Sequence, residues 1–268
     1  MSLLPGVYQA VKKDGTLYYR SSITINRKHI SLGSFSTEEQ AHKAYLEALD
    51  LFYHTRQDIA SFDASKALLH HDKWVTLINY RDNNIYIKTP IYLMKNYFNY
   101  YLSAQDVLKF DIDDLFYYSN HKIMQRNGHL FVSDYGMQVN ILNRYGIKNY
   151  GVAGKDYCFV NNDPSDFRYG NIEIINPYHG VTKQIKNGRA SYITRIIING
   201  SYLVGKYSTE SEAAVAYNKA AQILWQKGST RNYPLNYIEA LNEIEYASLY
   251  NKIRISRKIR EWEKVVSH

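Results

Sequence analysis

Apolar and polar residues alternate over Val7–Val11, Leu17–Ile25 and Ile30–Phe35, with Lys-Asp-Gly and Asn-Arg-Lys between the runs. A period of two places successive side chains on opposite faces of a strand, and the intervening residues are turn formers, so the pattern predicts a three-stranded antiparallel meander. The period then changes. Ala41, Ala44, Tyr45, Ala48, Leu49 and Phe52 recur at helical spacing, with Ser36 and Glu39 placed to form a capping box. The same order returns at Val181–Ile185, Ala190–Ile198 and Tyr202–Tyr207, followed by Ser208 as cap and a stripe of Ala213, Ala216, Tyr217, Ala220, Ala221 and Leu224. Gly33, Ser36, Thr37, Glu38, Ala41, Ala44, Tyr45 and Ala48 recur identically 172 positions on, so the unit is duplicated. Alanines on the stripe let each helix lie close to its sheet, which covers one sheet face and leaves the other open for a ligand.

The stretch Asp58–Pro177 is too long for a linker and too aromatic for disorder. Within it, Ser103 before an apolar run suggests a capped core helix in Lys95–Tyr118, and Asp111, Asp113 and Asp114 read as helix-end charges or as magnesium ligands. His70 and His71 are adjacent and point apart, His121 and His129 bracket a turn, and His179 begins the second repeat; none has ligand spacing. At the C-terminus, Lys252, Arg254, Arg257, Lys258, Arg260 and Lys264 face Glu261 and Glu263 on an expected helix suited to lie along phosphates. A dimer or membrane-surface helix is the alternative there, but the stripe of Ile253, Ile255 and Ile259 is short. The expected organisation is a first module over 1–57, a central domain over 58–177, a second module over 178–233 and a basic extension over 234–268.

Composition narrows the function classes. With 268 residues, 45% hydrophobic and 15% aromatic, the chain is able to bury a core in two or three units. No run of about 18 apolar residues is present, and no basic-then-apolar leader opens the chain, so neither a membrane partner nor secretion is expected. The lone Cys158 makes no intrachain disulfide or zinc cluster, which fits a reducing cytoplasm. Lys and Arg total 33 against 25 Asp and Glu, a net +8 that favours a polyanionic partner. The 27 tyrosines suit base stacking, or reflect an AT-rich genome.

The string Gly-Val, an aromatic strand, then "LGSFSTEEQAHKAYLEAL" resembles the APETALA2-type DNA-binding domain, and "VGKYSTESEAAVAYNKAA" resembles it with Val204 and Tyr207 in place of the family's leucine and phenylalanine. The resemblance covers about 50 residues at each end. It implies that the open sheet face enters the major groove of double-stranded DNA. Taking Val7, Ile23 and Ile30 as inward, alternation directs Tyr8, Ala10, Lys12, Arg20, Ser22, Thr24, Asn26, His29 and Ser31 outward. The second outward set is Thr182, Gln184, Lys186, Arg195, Ile197, Asn199 and Ser201. Lys28 and Arg189 beside the turns, and Arg257 and Lys258 in the tail, complete the expected DNA contacts. The family's arginine- and tryptophan-rich face is largely missing here, and solvated strand faces are the plain alternative.

"NGHLFVSDYGMQVNILNRYG" and "KDYCFVNNDPSDFRYGNIEIIN" resemble the HNH homing-endonuclease domain through Asn161, Asp163, Pro164, Asp166, Arg168, Asn171, Ile172 and Ile174. That chemistry uses one histidine as general base and another with Asn or Asp to hold the metal ion. Asn143, Cys158, Phe159 and Phe167 stand at those positions, so the resemblance implies a scaffold without a catalytic site and without a cofactor. An unrelated fold and a misaligned working site are the alternatives. The expected fold is α+β: two three-stranded antiparallel sheets, each backed by a helix, flanking a mixed α/β HNH-like domain, with a basic C-terminal helix. The expected function is sequence-specific binding of a bipartite DNA site by a bacterial or phage transcriptional regulator, such as a repressor, derived from a homing endonuclease. An active HNH nuclease and an RNA-binding or protein-interaction module are the rivals. Oligomeric state is open, since both modules share one chain and a monomer suffices.

Overall fold

The computed structural model describes residues 3–54 and 56–263. The chain divides into two compact units, Met1–Ile141 with Asp163–Asn171, and Leu142–Asn162 with Ile172–His268. The stretch expected as a central domain over 58–177 is thus shared between them. Both units mix helices with small antiparallel sheets.

The first unit opens with β1 (Val7–Val11), β2 (Leu17–Ile25) and β3 (Lys28–Phe35), an antiparallel sheet in that order. Asn26 and Arg27 close the second hairpin with φ of 47° and 65°, the paired left-handed geometry of a type I′ turn, whose twist matches the strands. Helix α1 (Glu38–Tyr53) begins one residue later than the Ser36 cap implies: Thr37 is the cap and accepts from the Gln40 N–H. Ala41, Ala44, Ala48 and Leu51 are buried. The module does not end near residue 57, because α2 (His71–Asn83) inserts Trp74, Leu77, Ile78 and Tyr80 into the same core as Ile23, Ile25, Ile30 and Leu32. Next come β4 (Ile91–Leu93), β5 (Tyr97–Tyr101) and β6 (Val107–Asp111) as a second sheet, then α3 (Leu115–Asn120), then a third sheet of β7 (Ile123–Arg126), β8 (His129–Asp134) and β9 (Met137–Asn140). The core helix expected within Lys95–Tyr118 is therefore a β-hairpin followed by a short helix. Its aromatics alternate at period two, so Phe98, Tyr100 and Phe110 reach one buried face beneath Tyr118.

In the second unit, β10 (Tyr157–Phe159) pairs with β11 (Ile172–Ile174), and β12 (Val181–Lys186), β13 (Arg189–Ile197) and β14 (Ser201–Tyr207) form an antiparallel sheet backed by α4 (Glu210–Gln226). Thr209, not Ser208, caps α4, in a reciprocal box with Glu212. The expected continuous basic helix is broken: α5 (Glu243–Lys252) stops at Ile253, an extended segment follows, and α6 (Arg257–Arg260) is one turn. The reason is packing. Ile253, Ile255 and Ile259 are buried in the α4 core, and Ser256 donates its N–H to the Val204 carbonyl at 2.7 Å. Lys264 lies outside the described residues. No helix among the described residues is long and apolar enough to cross a membrane.

The duplication extends to matching tertiary contacts. Gly6 and Gly180, at φ 76° and 71°, lie where a Cβ would penetrate the rings of Tyr45 and Tyr217 respectively. Ser22 N–H donates to Gly6 at 3.0 Å, and Arg195 N–H to Gly180 at 2.8 Å. In each sheet the register slips at the same place: Ser21 faces Gly33 but Ser22 faces Ser31, and Thr194 faces Gly205 but Arg195 faces Leu203. Each slip passes over one extra residue of the third strand, Leu32 or Val204, and buries it.

Candidate nucleic-acid interface

Cross-strand partners share a face, so the register assigns each side chain. On the first sheet, Val7, Ser21, Ile23 and Ile30 face α1. The open face carries the row Tyr8–Arg20–Ser34, the pair Ala10–Tyr18 and the pair Thr24–His29. Tyr8, Lys12, Arg20, Thr24, His29 and Ser31 are exposed as expected, and Asn26 is exposed in its turn. Two expectations fail. Ser22 is only 7% exposed, at the point where the register slips. Lys28 pairs with the fully buried Ile25, which puts it on the helix-covered face, where its ammonium rests 4.9 Å above the Tyr86 ring.

Arg20 is pre-organised in a way the sequence pattern did not indicate. Its Nε and Nη2 donate to the Tyr18 hydroxyl at 3.1 and 2.7 Å, and its guanidinium lies 5.5 Å from the same ring centroid. A guanidinium held this way loses less rotamer freedom on meeting an acceptor. Tyr18 itself was not among the expected contacts; its period-two relation to Arg20 was the signal available.

On the second sheet the open face carries Thr182–Ile193–Lys206, Gln184–Ser191, Lys186–Arg189, Arg195–Leu203 and Ile197–Ser201. Gln184, Lys186, Arg189, Arg195, Ile197, Asn199 and Ser201 are exposed and Thr182 is half-buried. Asn199 accepts from the Tyr202 hydroxyl at 2.9 Å. Ile197 and Leu203 add an apolar patch, 54% and 41% exposed. Lys206 was missed because unbroken alternation does not survive the slip. Arg20 and Arg195 are also not counterparts: the slip aligns Arg195 with Ser22, and Arg20 with Ile193, which is 9% exposed. None of the open-face positions named on either sheet is acidic.

Arg257 and Lys258 are exposed, but α6 packs on α4 and β14 through Ile259, beside the helix-covered side of the sheet. Arg257 Nε donates to Glu261 at 2.7 Å. The structure does not bring this pair to the open face.

The residues of the HNH-like stretch divide between the units. In the first, Asp163 accepts from Ser165 and pairs with Lys109 at 3.2 Å, and its carboxyl is held below the usual range, first by the Ser165 hydrogen bonds. Asp166, fully buried, pairs with Arg168, and Asn171 donates to the Asp166 carbonyl at 2.7 Å. Phe167 stacks on Phe110 with centroids 5.5 Å apart. In the second unit, Asn143 lies in a short turn, Phe159 ends β10, and Cys158 approaches Glu173. Among the described residues, no three His, Cys, Asp or Glu converge as metal ligands, and Asp111, Asp113 and Asp114 form no such group. His71, between Phe62 and Tyr101, has its imidazole pKa lowered by burial; His179 is lowered by burial and then by Lys148.

No family model matches the chain, and neither a curated protein nor a solved structure matches it.

Proposed function

We propose that the protein binds double-stranded DNA sequence-specifically, each sheet reading one half of a bipartite site, and that it is a transcriptional regulator descended from a homing endonuclease. One observation carries the reading. A single framework, with the same glycine–tyrosine contact and the same register slip, occurs twice and each time presents an acid-free, cation-bearing sheet face. Strands able to enter the major groove read base edges with such side chains, while lysines and arginines meet phosphates. The sequence resemblance of both ends to the APETALA2-type domain supports it, as does the net charge of +8. Linking two weak modules raises the local concentration of the second to about the millimolar range where both can engage.

The faces differ in chemistry, so the half-sites differ too. Arg20 over Tyr18 suits a guanine edge, whereas exposed Ile197 and Leu203 suit thymine methyl groups. Selection from random duplex DNA, followed by footprinting, tests the proposal. Arg20→Ala is expected to cost about 1–3 kcal/mol and to erase protection of one half, and Arg195→Ala of the other. If both substitutions erase the same bases, the two-module reading fails. Supercoiled plasmid is expected to stay intact in magnesium or manganese, since Asn143, Phe159 and Phe167 occupy the catalytic positions of the motif. Metal-dependent linear product would favour the nuclease instead.

A further inference from the structure

Beside the second sheet, inside the second unit, lies a cleft of about 590 Å³. Three parts of the unit wall it: Asn149, Tyr150 and Lys155 from the segment before β10, Arg195 from β13, and Arg231 and Asn232 from the segment after α4. Its acidic lining residue, Asp156, is already neutralised by Lys148 at 2.8 Å, with both side chains about nine-tenths buried. Lys155, Arg195 and Arg231 are exposed, and among the described residues no carboxylate pairs with them. Arg231 is held in place by one Nη1 donation to the Ile198 carbonyl at 3.0 Å, which uses one of its five N–H donors. Three cations from separate chain segments thus line one cleft, and an anion entering it is attracted to each. The amides of Asn149 and Asn232 supply neutral donors on the same walls. At the rim, Tyr150 sits in the left-handed region at φ 63° with 90% of its surface exposed. A left-handed tyrosine costs backbone strain, and a bare ring of this kind is a stacking platform.

We propose that this cleft binds a phosphate, and that Tyr150 stacks on the base when the phosphate belongs to a free nucleotide. The phosphate has two available sources. One is the DNA backbone flanking the half-site of the second sheet, since Arg195, Ile197 and Ser201 line both the sheet face and the cleft; this source rests on the function proposed above. The other is a free mononucleotide acting as an effector, which does not.

The experiment uses the full chain, wild type and with Lys155→Ala or Tyr150→Ala, both exposed side chains, after checking that unfolding midpoints are unchanged. In the first arm, affinity for the selected duplex is measured against salt. Lys155→Ala is expected to lower the log–log slope by about 0.9, the loss of one neutralised phosphate, without changing the selected sequence. In the second arm, calorimetry with adenosine 5′-monophosphate and with inorganic phosphate is expected to show at least tenfold weaker nucleotide binding in both variants, while Tyr150→Ala leaves inorganic phosphate binding intact. A change confined to the first arm assigns the phosphate to DNA, and one confined to the second assigns it to an effector. A wild type that ignores duplex DNA defeats the DNA-binding reading, yet the second arm still decides the cleft. An unchanged salt slope together with no response to nucleotide or phosphate overturns the proposal.

Discussion

Gly6 and Gly180 are the residues on which each sheet closes against its helix. Both occupy φ values that favour glycine, and both touch a tyrosine ring so closely that a methyl group has no room. Gly6→Ala is therefore expected to destabilise the first unit by on the order of 3 kcal/mol through strain and overpacking, read from denaturant midpoints. An unchanged midpoint would mean that the Tyr45 contact is absent in solution. His71 makes a second prediction. Neither ring nitrogen has a hydrogen-bond partner among the described residues, and burial lowers its pKa. A depressed imidazole means that the unfolded state binds the proton more readily. Its contribution to stability is whole above the unfolded value near 6.5 and is lost as pH falls from there toward the folded value. The unfolding midpoint is expected to drop between pH 7.5 and 5.5, and the drop to shrink in His71→Phe, whose ring keeps the edge contact with Phe62. Neither role was legible beforehand in full. The repeated glycine and tyrosine were visible in the sequence, but their contact is a tertiary fact, and the neighbours of His71 come from distant segments.

At the scale of elements, alternation and turn chemistry were enough to place both meanders and both helices, because each apolar stripe has one period and a glycine- or asparagine-bearing turn. Their limits were harder to read where two residues compete. Ser36 and Thr37, like Ser208 and Thr209, are all good caps, and only the geometry shows that Thr209 accepts from the Glu212 N–H at 3.2 Å while Glu212 bonds back. Thr209→Ala is expected to cost about 1 kcal/mol, and Ser208→Ala close to nothing. Thermal melts of the two variants decide it, and equal losses would contradict the assigned cap. The hairpin of β5 and β6 was misread for a different reason. A dense aromatic run satisfies helical and strand spacing at once, and the choice fell to the Ser103–Asp106 turn, whose side-chain bonds close the chain back on itself. The register slips were invisible to alternation, which is why Ser22 was expected to be exposed and Lys206 was missed.

For the whole molecule, the two modules differ in what completes them, although their sequences are copies. The core of the second, from Val181 through Ile259, is drawn entirely from residues after 177. The tail contributes Ile253, Ile255 and Ile259, so the segment that suggested a phosphate-binding helix is instead part of a hydrophobic core. The core of the first module continues past its helix into Leu69, Trp74, Leu77, Ile78 and Tyr80, and Glu47 ties the segment down by accepting from the Leu68 N–H at 2.8 Å. A chain of fewer than about 60 residues is already marginal, and removing α2 would expose the inner faces of Ile25 and Leu51. Residues 178–268 expressed alone are therefore expected to unfold in one cooperative transition, and residues 1–57 to show none, while residues 1–84 regain helical content at least. Circular dichroism against urea measures all three. Cooperative unfolding of 1–57 would mean that α2 only decorates the first sheet. The isolated 178–268 piece also lacks Tyr150 and Lys155, so it should bind duplex DNA with a shallower salt dependence than the full chain by more than the loss of the first sheet explains. Adding back residues 142–177 should restore that difference.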